Sequence, residues 1–333
     1  MNCSDGDTWL RVEDPSAVGA ARRAATVIAE AVGFDEHECG RVALAVSEAA
    51  SNLVKHAVAG KILIRSLAQP GGAVEVIAVD TGPGMADFAR VMRDGYSTAG
   101  TLGVGLGGIA RMASAYEVYS MPGRGTVMAM WFTADTAPPP DIQVSGLTRP
   151  IGEESVCGDA FAYVDSPGGT VAMLCDGLGH GELAAHASRQ AVRTFRKHND
   201  LSPAAIVERV HSALAGTRGG AVAVAALDRG SGTVFYAGLG NVAGWIVTPE
   251  SRQGMISVPG IAGHQSRKVR EYSYTAPPYS MIVMHSDGLT ERWEPTAFPG
   301  LTARAPSVVA ATLLRDAGTR RDDAAVLTVK VTP

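Results

Sequence analysis

"VEVIAVDTGPGM", residues 74–85, is an apolar run that closes on Asp80 and is followed by Gly82 and Gly84. The same design returns further along as "LCDGLGHGELAA", residues 174–185, where Asp176 is followed by Gly177, Gly179 and Gly181. Each time a strand-like segment ends on a bare carboxylate and the chain then omits side chains. Asp-Gly is also a common turn dipeptide, so the surroundings of each stretch decide what it is for.

Around the first stretch the surroundings are specific. In "RVALAVSEAASNLVKHAV", residues 41–58, Val42, Val46, Ala49 and Leu53 share one helical face, while Glu48, Asn52 and Lys55 form a polar stripe on another. "GTLGVGLGGIARM", residues 100–112, is a glycine-rich loop running into a helix. A carboxylate at a strand end can accept from an adenine amino group, glycines let backbone approach a ligand, and a helix N-terminus offers N–H groups to phosphates. No G-x-x-x-x-G-K-[ST] occurs, so the nucleotide would not be held by a P-loop.

The bulk numbers set the frame. The 333 residues suit two domains at roughly 100–200 residues each. With 46% hydrophobic and 19% charged residues the chain is globular, and a net charge of -4 without Lys/Arg clusters argues against nucleic-acid binding. The start lacks a signal-peptide build and no run reaches the roughly 20 apolar residues of a membrane span, so a soluble, cytoplasmic protein is expected. Cys3, Cys39, Cys157 and Cys175 are scattered without a C-x-x-C pair, which fits reduced, ordinary cysteines.

Three prolines in "FTADTAPPPDIQ", residues 132–143, mark a semi-rigid linker. We therefore divide the chain into 1–133, a linker at 134–143, and 144–333. Upstream, helix-like stretches near 16–32, 40–58 and 104–115 alternate with strand-like ones near 61–67, 73–79, 116–121 and 125–132, an α/β sandwich on one sheet. Downstream, runs such as "GTVAMLCD", "GGAVAVAALD", "YSMIVMHSD" and "AAVLTVKV" predict a β-sandwich flanked by helices, two of them near 181–198 and 203–215.

In the downstream half, Asp176 has company. Asp159 in "VCGDAF", Asp287 in "IVMHSDGLTE", and Asp322 with Asp323 in "RRDDAAVLTV" each adjoin a strand end without a neutralising Lys nearby. Hard divalent cations take oxygen ligands, and carboxylates at neighbouring strand ends can converge on a paired-metal site suited to phosphoryl displacement. Strand-terminating turns explain any one of these aspartates but not the series. His180 and His285 lie near the ligands in sequence, with a proton-shuttling role or local packing both open. No arginine is evidently placed to bind a substrate phosphate.

The upstream order Glu-x-x-x-Asn, Asp-x-Gly-x-Gly, Gly-x-Gly-x-Gly and "GRGT" resembles the Bergerat-fold (GHKL) ATP-binding family, and over residues 8–132 it is similar to the RsbT-like switch serine kinases. The resemblance implies that Asn52 holds Mg²⁺ and Asp80 reads adenine, with Gly82 and Gly84 shaping the pocket and Thr126 supporting it. It further implies that Gly103, Gly105 and Gly107 wrap the phosphates of ATP, Lys55 contacts one, and Glu48 is the general base toward a partner's serine. Over residues 145–331, "GD", "DGLGHG", "SDGLTE" and "DDAAVL" resemble the SpoIIE-type branch of the metal-dependent PPM phosphatases, in an RsbX-like form. That likeness assigns Asp159, Asp176, the Gly177 carbonyl, Asp287 and Asp322 to two Mn²⁺ or Mg²⁺ ions, with Asp323 as the alternative to Asp322. The nucleophile would be a water activated by the ions, leaving Cys175 a buried strand residue.

Together the two resemblances imply a writer and an eraser of phosphoserine in one chain, with small STAS-domain proteins of a partner-switching or stressosome pathway, or a sigma-factor regulator, as partners. Two other readings stand beside this. The first domain would only bind ATP or a regulator, or the second would hydrolyse a small phosphate ester.

Overall fold

The computed structural model describes residues 2–3, 7–68, 71–86, 105–134, 137–152, 154–264, 268–319 and 321–332. They form two compact units. One runs Thr8–Asp141; the other comprises Ile142 onward together with Asn2, Cys3 and Asp7.

In the first unit, helix α1 (Pro15–Val32) starts where Asp14 accepts from the Ser16 N–H at 2.9 Å, and stops at Gly33 in the left-handed region, φ 93°. Helix α2 (Glu36–His56) opens on a capping box in which Asp35 and Glu38 satisfy each other's backbone N–H groups at 2.8 and 2.9 Å. A short helix, α3 (Gly105–Met112), completes the layer. Beneath them lies an antiparallel sheet ordered β2-β3-β4-β6-β5, from β2 (Trp9–Arg11), β3 (Lys61–Leu67), β4 (Ala73–Val79), β5 (Ala115–Met121) and β6 (Gly125–Phe132). Val42, Val46, Ala49 and Leu53 of α2 are buried with Ile62, Ile64, Val76, Met128 and Met130 of the sheet, the face that the helical spacing predicts. This is the expected one-sheet α/β sandwich.

In the second unit, two sheets pack face to face. One orders β1-β8-β9-β10-β11-β14, with β15 also on β11: β1 (Asn2–Cys3), β8 (Ala160–Ser166), β9 (Gly169–Gly177), β10 (Gly220–Asp228), β11 (Thr233–Leu239), β14 (Ser257–Val258) and β15 (Tyr272–Thr275). The other orders β13-β12-β16-β17-β7: β7 (Val144–Arg149), β12 (Ala243–Val247), β13 (Arg252–Met255), β16 (Met281–His285) and β17 (Ala324–Lys330). Strand alternation sorts the side chains: Ala172 and Leu174 of β9 enter the core between the sheets with Phe161, Tyr236, Met284 and Leu327. Met173 and Cys175 face the opposite way, into a second core under α4 (Glu182–His198) and α5 (Pro203–Ala213). Helix α6 (Pro306–Asp316) packs on β7 and β17. The β-sandwich flanked by helices is thus as expected.

The N-terminus differs from the expected division at residues 1–133. β1 pairs with β8, Asn2 opposite Tyr163, and the Asp7 carboxylate accepts from the Thr148 N–H at 2.7 Å. A sheet edge takes up any segment that offers complementary backbone groups, and no side-chain pattern in residues 2–7 announces that choice.

Candidate active sites

Register brings the downstream aspartates to one end of the sandwich. Ala160 pairs with Cys175, so Asp159 and Asp176, the residues just beyond, stand opposite each other where β8 begins and β9 ends. In the other sheet His285 pairs with Val326, which sets Ser286 and Asp287 beside Ala324 and Ala325 and the Asp322–Asp323 pair next to them. Asp287 and Asp176 face each other closely enough for each to influence the other's carboxyl, joining one sheet's aspartate to the other's.

The electrostatics of the group are those of acids without a counter-cation. Burial, then the negative charges of Asp287 and Asp322, push the Asp176 carboxyl up to about 7. Asp159 is driven up by its own burial and by Asp176, and Asp287 by burial and Asp322. Among the described residues no Lys or Arg forms an ion pair with any of the five. Asp159 is 5% exposed and its Oδ2 has no hydrogen-bond partner. A buried carboxylate oxygen without a donor is costly unless a cation meets it, so the donor set fits hard divalent ions. Among the described residues no three His, Cys, Asp or Glu side chains stand in the close grouping of a finished metal cage; the carboxylates lie at one end of the sandwich and their charges oppose one another.

Asp322 and Asp323, alternatives in the sequence, have different surroundings. Both Asp323 oxygens are engaged at 2.8 Å, Oδ1 by the Ile151 N–H and Oδ2 by the Gly158 N–H, so this residue clamps the loop that carries Asp159. Asp322 caps only the Asp323 N–H at 2.9 Å, and its charge bears on Asp176 and Asp287. The glycines are needed by crowding: a β-carbon at Gly177 would lie 2.5 Å from the Ala184 carbonyl oxygen and 2.6 Å from that of Gly158. Gly179 and Gly181 adopt φ 84° and 73°.

The two histidines separate. His285 is buried; its Nε2 accepts from the Trp245 indole at 3.3 Å and its Nδ1 lies 2.9 Å from the Ser286 carbonyl oxygen, a neutral packing residue whose pKa burial lowers. His180 is exposed, 3.5 Å from the Glu154 carboxylate, and its charge bears on Asp323. Cys175 is fully buried and its thiol is pushed up by burial, which makes it a poor nucleophile. Sequence reasoning missed Ser286, hydrogen-bonded to Asp159, and Asn241, whose amide donates to Asp287 Oδ2 at 2.8 Å. "SDG" contains the first signal; nothing in "LGNVAG" marks the second.

In the first unit, Glu48 and Asn52 are half-buried and Lys55 is exposed along α2. The Asn52 Nδ2 is buried and without a partner, a donor set aside from the fold itself. Asp80 is 8% exposed; its Oδ1 accepts from the Gly82 N–H at 2.7 Å and its own N–H donates to the Thr126 carbonyl at 2.9 Å. The Thr126 hydroxyl lies 2.9 Å from that of Ser120, which accepts from the Met85 N–H at 2.8 Å. Gly84 has φ 66°, and a β-carbon there would run into the Met121 carbonyl. Gly105 and Gly107 open α3, while Gly103 lies outside the described residues. A buried carboxylate and a side-chain-free cradle fit a nucleotide, and the orphaned Asn52 N–H fits an anionic oxygen, leaving Oδ1 as the atom that could meet a cation.

The fold and the two sites define a class: a metal-dependent protein serine/threonine phosphatase domain carried in one chain with a kinase-like ATPase domain. Residues 12–132 match the histidine kinase-like ATPase domain, and residues 166–332, just over half of the chain, match stage II sporulation protein E (SpoIIE). The chain belongs to the SpoIIE family through its second domain. Its first is similar to the serine/threonine-protein kinase RsbT of Bacillus subtilis (strain 168), 39% identical over 118 residues, which cover 35% of this chain and 89% of RsbT. Its second is similar to the phosphoserine phosphatase RsbX of the same organism, 27% identical over 139 residues, 41% of this chain and 69% of RsbX. The structure of RsbX in complex with magnesium shares the fold (TM-score 0.50, 19% identity, 57% of this chain and 96% of that one). A structure from work on the bacterial stressosome as a modular system controlling secondary messenger signalling aligns at TM-score 0.52 and 27% identity, over 57% of this chain and 99% of that one. No helix among the described residues is long and apolar enough to cross a membrane.

Proposed function

We propose that this protein both phosphorylates and dephosphorylates serine on a small STAS-domain partner, using ATP in the first domain and two Mn²⁺ or Mg²⁺ ions in the second. What carries the reading is that both constellations are complete in one chain: Glu48, Asn52 and Asp80 in one unit, and Asp159, Asp176, Asp287 and Asp322 in the other. The similarity to RsbT and to RsbX points to the same pair of activities.

In the second domain Asp159, Asp176, the Gly177 carbonyl, Asp287 and Asp322 would hold the ions, which supply charge neutralisation and an activated water for in-line displacement at phosphorus. Ser286 orients Asp159, Asn241 orients Asp287, and Asp323 fixes the loop that carries Asp159. In the first domain Asn52 would hold Mg²⁺, Asp80 accepts from the adenine amino group, and Thr126 supports that side. Gly82 and Gly84 leave room for the base, while Gly103, Gly105 and Gly107 and the α3 N-terminus receive the phosphates with Lys55. Glu48 takes the proton of the incoming serine hydroxyl as general base.

The test is one time course with γ-labelled ATP, Mg²⁺ and a STAS-domain protein from the same genome, followed by a Mn²⁺ and nucleotide chase. Label should appear on serine and then leave. Glu48→Gln or Asn52→Ala should abolish its appearance and Asp176→Asn its loss. Tight ATP binding with no labelled partner would instead make the first domain a sensing or regulator-binding module.

A further inference from the structure

The sequence offers no evident arginine for the substrate phosphate, yet the fold supplies one. Gly177 pairs with Gly220 across β9 and β10, so the residues two positions outside the pair, Gly179 and Arg218, come together beyond the strand ends. A β-carbon on Gly179 would stand only 3.0 Å from Arg218 Nη1. The Gly179 carbonyl oxygen in turn would be 3.3 Å from a β-carbon on Gly158, whose N–H binds Asp323. The guanidinium therefore lies at the lip of the carboxylate cluster, one loop away from its ligands.

Its backbone is held firmly. The Leu178 N–H donates to the Gly219 carbonyl at 3.0 Å, and Gly220 and Ala262 exchange hydrogen bonds at 3.2 and 2.8 Å. Thr217 Oγ1 accepts from the Gly219 N–H at 3.0 Å and donates to the Leu214 carbonyl at 2.7 Å, while His264 Nε2 lies 3.0 Å from the Arg218 carbonyl oxygen. The side chain, by contrast, is exposed and forms no ion pair among the described residues, with the carboxylates one loop away. A cation fixed at its root, free at its tip and placed beside an acid cluster is arranged to meet an anion brought from outside. Arginine suits a phosphoryl group because its planar donors engage two oxygens at once.

We propose that Arg218 is the substrate-positioning residue of the phosphatase site, binding the non-bridging oxygens of the phosphoryl group as it enters. The inference rests on the phosphatase reading of this cluster. Arg218→Ala and Arg218→Lys are compared with the parent in Mn²⁺, using p-nitrophenyl phosphate as substrate, inorganic phosphate as inhibitor, and two phosphoserine peptides with neutral or acidic flanks. Arg218→Ala should raise KM for p-nitrophenyl phosphate and Ki for phosphate together by about tenfold or more, as loss of a charge-assisted pair implies. Thermal unfolding should be unchanged and Arg218→Lys should recover part of the loss. Parent-like KM and Ki in Arg218→Ala, while Asp176→Asn is inactive, would overturn the assignment and leave the phosphatase reading standing. Full activity in Asp176→Asn would remove the phosphatase reading itself. An effect confined to the acid-flanked peptide would assign Arg218 to a neighbouring residue of the partner and would also overturn the phosphoryl role.

Discussion

Replacing Asp176 by asparagine should destroy phosphatase activity yet stabilise the metal-free protein, and the size follows from the site. The carboxyl is raised from 3.8 to about 7 by burial and by Asp287 and Asp322. In the folded state it therefore holds its proton more tightly than in the unfolded chain. A group raised in this way contributes most stability below 3.8 and loses it progressively as pH rises to about 7. Roughly three pH units at 1.36 kcal/mol each give about 4 kcal/mol as a ceiling, since the neighbouring carboxyls relax in response. An asparagine side chain in its place would keep the shape without the charge. In EDTA at pH 8, Asp176→Asn should make the domain more stable than the parent by about 2–4 kcal/mol, and the gap should close toward pH 4. Added Mn²⁺ should reverse the order, because ligand binding to the folded parent stabilises it. The assay is hydrogen exchange of peptides covering β9, followed across pH with and without Mn²⁺, which reads this domain rather than the whole chain. Equal protection of the two proteins at pH 8 in EDTA, or a gap independent of pH, would refute the picture of mutually repelling buried acids.

Other outcomes follow from single contacts. Asp323→Ala removes acceptors from the Ile151 and Gly158 N–H groups; with about 1.5–3 kcal/mol for each bond to a charged group, urea unfolding of this domain should show a loss of several kcal/mol and weaker Mn²⁺ binding. Asn52→Ala should abolish ATP binding by calorimetry while shifting stability by less than about 0.5 kcal/mol, because its buried Nδ2 has no partner to lose. Gly84→Ala forces a side chain into φ 66° against the Met121 carbonyl, and denaturation should register a loss of at least about 2 kcal/mol with ATP affinity reduced in parallel. Trp245→Phe removes the donor to His285 Nε2; it should cost about 1–3 kcal/mol in urea and leave KM for p-nitrophenyl phosphate unchanged, in keeping with a packing histidine.

Much of this was legible because it is local. Val42, Val46, Ala49 and Leu53 recur at helical spacing, and their burial follows from that spacing alone. The aspartates were legible for a related reason: each follows an apolar strand or directly precedes one, and strands of a sandwich end together. What was not legible depends on contacts between distant segments. Arg218 lies 42 residues after Asp176 and becomes relevant only once β9 and β10 pair with Gly177 opposite Gly220. Asn241 reaches Asp287 because β12 runs beside β16, a pairing no short motif encodes. Asp322 and Asp323 differ in that only the latter meets the Ile151 and Gly158 N–H groups, and adjacent identical residues cannot reveal that in one dimension.

Under the proposed function, placing writer and eraser in one chain has a kinetic consequence of its own. With separate enzymes, the phosphorylated fraction of a partner depends on the ratio of two protein concentrations. With both sites on the same polypeptide that ratio is fixed, and below saturation the steady-state fraction is the kinase rate constant divided by the sum of the two. The amount of this protein cancels. What would remain are the factors that act on one site only: ATP at the proposed Asn52–Asp80 site, divalent ions at the proposed aspartate site, and any regulator that touches either. Under the proposed function, doubling the protein in a reaction with fixed ATP, Mg²⁺ and Mn²⁺ should halve the time to the plateau and leave its height unchanged. Titrating Mn²⁺ alone should lower the plateau. A plateau that climbs or falls with protein concentration would mean that the two sites do not act on the same serine.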